Sequence, residues 1–159
     1  MPLVMVYFDR IGREASYLKI MAVDFGDART GVAISDEMEM LVAFTAVVPS
    51  RKPERAAAEI AELAKDKGVR EIVVGLPKNM NGSEGPRAEL CREFAALLES
   101  LSGISVRTWD ERLTTVDAHR ILSDNGVYGK KRKNTVDAVA ASLILEGYLG
   151  YRANRPKET

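Results

Sequence analysis

A single cysteine, a single histidine and a single tryptophan in 159 residues withhold the materials for several chemistries. Cys91 has no partner for an internal disulfide. Beside Leu90, Phe94 and Leu97 on an expected helix it reads as a small buried hydrophobe, which suits a reducing cytoplasm. His119 falls inside an expected helix well after Glu111 and is assigned no catalytic role. Nothing marks Ser35, Ser83 or Cys91 as an activated nucleophile, so a Ser-His-Asp or Cys-His site is unsupported. The formal net charge is zero, which excludes the global positive field behind indiscriminate nucleic-acid binding; any such binding must be local. No stretch approaches the roughly 18 apolar residues that span a bilayer, so no membrane is expected. Neither Gly-x-Gly-x-x-Gly nor Gly-x-x-x-x-Gly-Lys-Ser/Thr occurs, and no internal repeat is visible, which argues against dinucleotide-binding and P-loop enzymes.

What is present is the composition of one globular domain, 46% hydrophobic and 29% charged. It divides into an extension over residues 1–17, a domain over 18–150 and a tail over 151–159. The apolar patch from Leu3 to Phe8 lacks the basic region and length of a signal peptide; an added edge strand, a disordered extension and an artefact of start-site choice all fit it. An apolar run from Leu18 to Phe25 predicts a strand, and a tight turn carries Arg29 into a second strand. A third, Leu41 to Val48, is closed by Pro49, giving a meander. Pro53 opens a helix stopped by Gly68, and a β-branched strand ends at Leu76. After the turn-rich loop 77–86 come a helix over 87–101 with Leu90, Phe94, Leu97, Leu98 and Leu101 on one side, and a strand over 104–109. Two helices complete the chain, one starting at Thr114 and one running from an Asn134 N-cap to about Tyr148. Helices crossing between the later strands make an α/β domain with parallel pairing there.

Acidic residues stand where elements end. Asp24 closes an apolar strand, where an ionised carboxylate must be hydrated, hydrogen-bonded or neutralised by a cation. Asp110 and Glu111 lie where the last strand runs out, and counting by twos cannot choose between them because the strand end is uncertain; both stay in play. Asp137 heads a helical face with Ala140, Ala141, Ile144 and Tyr148, although its place after Asn134 also suits the helix dipole. Sites in open α/β sheets form at the carboxyl ends of strands. Carboxylates converging there would hold hard cations of the Mg²⁺ or Mn²⁺ type, since a single histidine offers little nitrogen, and paired metals serve phosphodiester hydrolysis. The run Lys130, Lys131, Arg132 and Lys133 is the one concentrated basic segment, readable as a solvated loop or as a phosphate contact.

Asp24-Phe25-Gly26 with Arg29, Gly31-Val32-Ala33 and Ser35-Asp36 form the first of four ordered motifs. The others are Val73-Val74-Gly75-Leu76-Pro77 with Asn79, Asn81-Gly82 and Ser83; Asp110 to Thr115; and Val136-Asp137-Ala138 with Ala140-Ala141 and Ile144-Leu145. Over about Lys19 to Tyr148 the chain resembles the YqgF family, also called RuvX, of Holliday-junction-resolvase-like pre-16S rRNA nucleases. The resemblance implies an RNase H-like fold, a five-stranded mixed sheet with an antiparallel meander, flanked by helices. It implies a catalytic, metal-binding triad of Asp24, Glu111 and Asp137 with one or two Mg²⁺ or Mn²⁺ ions, and so favours Glu111 over Asp110 by analogy. Arg29, Lys78, Asn79, Asn81, Arg112 and the Lys130 to Lys133 run are the expected substrate contacts. Structured RNA is the favoured partner and branched DNA the alternative, for a cytoplasmic monomer or homodimer maturing the 5′ end of 16S rRNA. Two other readings stand lower: a binding or ribosome-assembly module with little catalysis, which all three carboxylates disfavour, and an actin-like ATPase, which needs two such domains.

Overall fold

The computed structural model of the chain describes residues 6–8, 14–16, 18–113 and 129–154. The helix expected from Thr114, with His119, lies outside them. Strands β1 (Val6–Phe8) and β2 (Glu14–Ser16) pair antiparallel as a two-stranded sheet of their own. Among the described residues, the extension adds no edge strand to the main sheet.

The main sheet has five strands: β3 (Ile20–Asp24), β4 (Arg29–Ser35), β5 (Val42–Pro49), β6 (Glu71–Leu76) and β7 (Ser105–Asp110). Their order is β5-β4-β3-β6-β7. Pairing is antiparallel through β3, β4 and β5, and parallel from β3 to β6 and from β6 to β7. This is the RNase H-like mixed sheet. Helices α1 (Pro53–Asp66) and α2 (Pro86–Ser102) follow β5 and β6, and α3 (Gly129–Ala153) ends the described chain. Among the described residues no helix is long and apolar enough to cross a membrane.

Strand residues alternate between two cores, as the period-two pleat requires. Met21, Val23, Val32, Ile34, Ile72, Val74 and Leu76 pack with α1 and α2. Ile20, Ala22, Ala33, Val73 and Trp109 pack with Ala141, Ile144, Leu145, Tyr148 and Leu149 of α3. Continuing that second set by twos leads to Asp24, Gly31, Gly75 and Glu111. All four stand at the same end of the sheet, on its α3 side.

Two helical expectations need correction. On α2 the buried face is Ala88, Cys91, Phe94, Ala95, Leu98 and Ser102, while Leu90 and Leu101 are exposed. Leu90 lies one residue, about 100° of helix, off the Cys91, Phe94, Ala95 stripe, and that rotation carries it to solvent. The last helix begins at Gly129, so Asn134 is an interior residue rather than its cap, and Lys130 to Lys133 are helical rather than a loop. Lysine and arginine are good helix formers, and no proline or glycine separates them from Asn134.

The far end of α3 is fixed to the opposite end of the sheet. Glu71, buried at the start of β6, accepts from the Tyr148 hydroxyl at 2.7 Å and from Arg152 Nη1 at 3.2 Å. Arg152 Nε also reaches Glu39 at 2.7 Å, and Arg107 Nε lies 3.1 Å from Glu71. A buried carboxylate requires such partners.

Candidate active site

Asp24 ends β3, and Glu111 opens a short 3₁₀ turn, Glu111–Leu113, directly after β7. The parity that separates Asp110 from Glu111 is set by Trp109, which is buried against α3. Glu111 shares its side of the sheet, whereas Asp110 points away. Asp110 instead takes Arg112 in a fork, at 2.7 Å from Nη2 and at 3.1 and 3.0 Å from Nε. That arginine holds the Asp110 carboxyl below its ordinary range.

Two glycines give the site its room. A Cβ on Gly75 would lie 2.4 Å from Glu111 Oε1 and 2.6 Å from Ile144 Cδ1, so the missing side chain is the space Glu111 occupies. A Cβ on Gly31, opposite Asp24 in the ladder, would lie 2.0 Å from the Asp137 carbonyl oxygen. The backbone of α3 therefore rests directly on β4, and this contact brings Asp137 to the strand ends.

Electrostatics follow from that crowding. Burial, then the charge of Asp137, raise the Asp24 carboxyl to about 6; Arg87 pulls the other way. Burial, then the charge of Asp24, raise Glu111 to about 7. Each carboxyl thus feels the other, and Glu111 is the later of the two to ionise. Perturbed carboxyls packed together at strand ends mark a functional site.

Asp137 is turned toward another partner. Arg29 Nε, at the start of β4, donates to its Oδ2 at 2.9 Å. Among the described residues no three acidic, histidine or cysteine side chains converge on one point as metal ligands would. Asp24 and Glu111 stand together, and Asp137 is close enough to be felt by Asp24 but is engaged by Arg29. All three offer oxygen only, the donor set that hard divalent cations take.

The remaining expected contacts are distributed around this edge. Lys78, Asn79 and Asn81 lie on the loop after β6, closed by a bridge between Lys78 and Glu84. The amides of Asn79 and Asn81 are committed to Ser83, at 2.9 Å to its Oγ and 3.0 Å from its backbone nitrogen. Arg112 Nη1 reaches the Met80 carbonyl at 3.4 Å and so ties that loop to the 3₁₀ turn. The side chains of Lys130 to Lys133 lie outside the described residues.

Sequence reading missed Arg87. From the first turn of α2 it donates to Asp27 at 2.6 Å and to the Phe25 carbonyl, with its guanidinium 5.0 Å from the Phe25 ring centre. Phe25 in turn stacks on Phe94 at 4.2 Å. A cation in the first turn opposes the helix dipole, and that local misfit was the available signal. Cys91 is buried as expected, its thiol pushed up to about 11 mainly by burial.

The pH dependence has a definite sign. Asp24 and Glu111 bind protons more tightly folded than unfolded, where they titrate near their ordinary 3.8 and 4.5. Between about pH 4 and pH 7 the native state holds more protons, so stability falls as pH rises. Thermal melts in chelator should show Tm dropping from pH 5 to pH 8, with a shallower drop for Glu111→Gln; parallel profiles would contradict the raised carboxyls.

A family model described as RuvX, Holliday junction resolvase, matches residues 18–151. A Halothermothrix orenii protein named pre-16S rRNA nuclease is 47% identical over 135 residues, which are 85% of this chain and 96% of that one. A Symbiobacterium thermophilum protein of the same name is 43% identical over 142 residues, 89% of this chain and 99% of that one. Among solved structures, T. thermophilus RuvC in complex with Holliday junction substrate aligns with TM-score 0.58 and 13% identity, over 89% of this chain and 100% of that chain. Fowlpox virus resolvase with Holliday junction DNA aligns at 0.53 and 10%, over 85% and 99%. At these identities the structures testify to the fold.

Proposed function

This chain belongs to the RuvX family, described as Holliday junction resolvases, and from that membership we propose that it is a divalent-metal-dependent nuclease with Asp24, Glu111 and Asp137 at its centre. Family and relatives alike are named for hydrolysis of phosphodiester bonds. The observation that carries the residue assignment is the closeness of Asp24, at the end of β3, to Glu111, in the turn after β7, beside a third carboxyl on α3. Such a set of oxygen donors suits a hard divalent cation.

Asp24 and Glu111 would hold Mg²⁺ or Mn²⁺, one ion or two, with Asp137 completing the oxygen set. When bound, the metal neutralises charge on the scissile phosphate and lowers the pKa of an attacking water. The protein residues supply the geometry. Gly75 admits the Glu111 side chain, Gly31 admits the helix that carries Asp137, and Arg87 fixes the turn after Asp24 through the Phe25 carbonyl and Asp27. The loop over residues 78–83 would lie across the strand being cut, its backbone held by its own asparagines.

The substrate favoured by the relatives' name is an RNA precursor of the small ribosomal subunit, trimmed at the 5′ end of 16S rRNA in the cytoplasm. The family description favours a second substrate, four-way DNA, cut at the same site. The decisive comparison is Mg²⁺- or Mn²⁺-dependent cleavage of a 16S rRNA precursor and of a four-way junction by purified protein, with its solution mass, since a resolvase must act as a pair. Faster cutting of the junction would favour DNA; binding without cutting of either would favour an assembly module.

Lys130, Lys131, Arg132 and Lys133 stand in the first turns of α3 and, as the one concentrated basic run of the chain, would contact phosphate. Replacing them with glutamine is expected to flatten the dependence of log binding constant on log salt by roughly one for each phosphate no longer neutralised. An unchanged slope in filter binding over increasing KCl would remove them from the interface.

A further inference from the structure

We propose that Arg29 couples substrate binding to completion of the metal site, by leaving Asp137 for a phosphate of the nucleic acid when that nucleic acid arrives. The inference rests on the nuclease reading above and goes beyond it. It begins from an apparent contradiction in the geometry. Arg29 was expected to touch phosphate and Asp137 to ligate metal, yet the two are bound to each other at 2.9 Å. While that bond stands, Arg29 Nε and Asp137 Oδ2 are engaged with each other rather than with a phosphate and a metal ion. Asp24 and Glu111 meanwhile pair without the third carboxylate, and among the described residues no metal-type cluster closes.

The bond is built to be exchangeable. The side chains are 37% and 21% exposed, and ion pairs so open to water are weak. Arg29 uses only Nε on a single oxygen, not both edges of the guanidinium on both oxygens, and among the described residues its terminal nitrogens take no second anion. Its backbone is fixed as the first residue of β4, opposite Pro49, so a change of partner needs side-chain rotation alone. The carbonyl of Asp137 is likewise fixed by its contact with Gly31, which leaves its carboxylate the moving part. A phosphate offers Arg29 a second anion, and a divalent ion beside Asp24 and Glu111 offers Asp137 a better cation. Each exchange favours the other, and such coupling is reciprocal.

Among the described residues, the other arginines beside the site do not take this role. Arg87 is committed to Asp27 and the Phe25 carbonyl, and Arg112 to Asp110. In the absence of nucleic acid Arg29 thus keeps the acidic site from closing on an ion. This would confine a hydrolytic metal centre to the substrate-bound enzyme.

The test is calorimetric titration of Mn²⁺ into the full-length protein, alone and with a cleavage-resistant 2′-O-methyl stem-loop RNA or a phosphorothioate four-way DNA junction. Titrations into each probe alone are subtracted. For the unaltered protein, nucleic acid should tighten Mn²⁺ binding about tenfold, within the ordinary range of coupling between sites. Arg29→Ala should bind Mn²⁺ about fivefold tighter than the unaltered protein when no nucleic acid is present, and should lose the tightening by nucleic acid. Arg29→Lys, which keeps the charge, should retain part of it. A merely structural Arg29 would give the opposite first result, since a displaced Asp137 weakens metal binding; circular dichroism melts confirm that the variants are folded. Coupling undiminished in Arg29→Ala, or no tighter Mn²⁺ binding by that variant alone, overturns the proposal while leaving the nuclease reading intact. Absence of Mn²⁺ uptake by the unaltered protein under every condition overturns both.

Discussion

Asp24→Asn is expected to reduce divalent-dependent cleavage by at least about a hundredfold, on RNA precursor and DNA junction alike. The amide keeps the shape of the carboxyl and removes its negative charge. Loss of about 3 kcal/mol of transition-state stabilisation suffices, since about 1.4 kcal/mol is tenfold in rate. The same variant should be more heat-stable than the parent in chelator at pH 8, because it relieves the crowding with Glu111 and Asp137 that raises the Asp24 carboxyl. Activity and stability thus move in opposite directions, which a misfolded variant cannot imitate. Undiminished cutting by Asp24→Asn removes Asp24 from the chemistry.

Gly31→Val is expected to cost about 3 kcal/mol and most of the activity together, as overpacking against an unyielding neighbour does. Its Cβ would stand 2.0 Å from the carbonyl oxygen and 2.6 Å from the carbonyl carbon of Asp137, inside any real contact distance. The obstacle is helix backbone, which cannot swing aside as a side chain can. Helix α3 must move off β4, and Asp137 moves with it. Gly150, on the same helix with open space where a Cβ would stand, supplies the control: Gly150→Ala should stabilise by about 0.5 to 1 kcal/mol and leave cleavage unchanged. Denaturant melts and initial rates on one substrate check both. A Gly31→Val protein that melts like the parent would mean that the helix does not press on β4 there.

The parts of this architecture legible in the sequence are those governed by local rules. The apolar run ending at Asp24, the proline and glycine that bracket α1 and the β-branched run of β6 each carried a signal within a few residues. The choice between Asp110 and Glu111 was closed to local reasoning. It depends on which side of β7 is covered by α3, and Trp109 records that only once Tyr148 packs against it at 5.5 Å. The Arg29 to Asp137 and Arg87 to Phe25 contacts join residues separated by 108 and 62 positions, so their pairing is a property of the folded sheet. Motif resemblance placed Asn79 and Asn81 beside the site but not their engagement with Ser83, which comes from the turn itself. The early start of α3 was hidden because a basic run is equally at home in a loop or a helix.

The anchoring of α3 at Glu71 gives the site a phase as well as a position. Tyr148 and Asp137 are separated by eleven residues, roughly 16 Å along the axis and very nearly three full turns at 3.6 residues per turn. One end of the rod is held by a buried carboxylate at the start of β6, the other delivers a carboxylate to the end of β3. A single residue gained or lost between them would turn Asp137 by about 100° and aim it away from Asp24. The count of residues in this stretch of helix is therefore as much a part of the enzyme as the acids themselves.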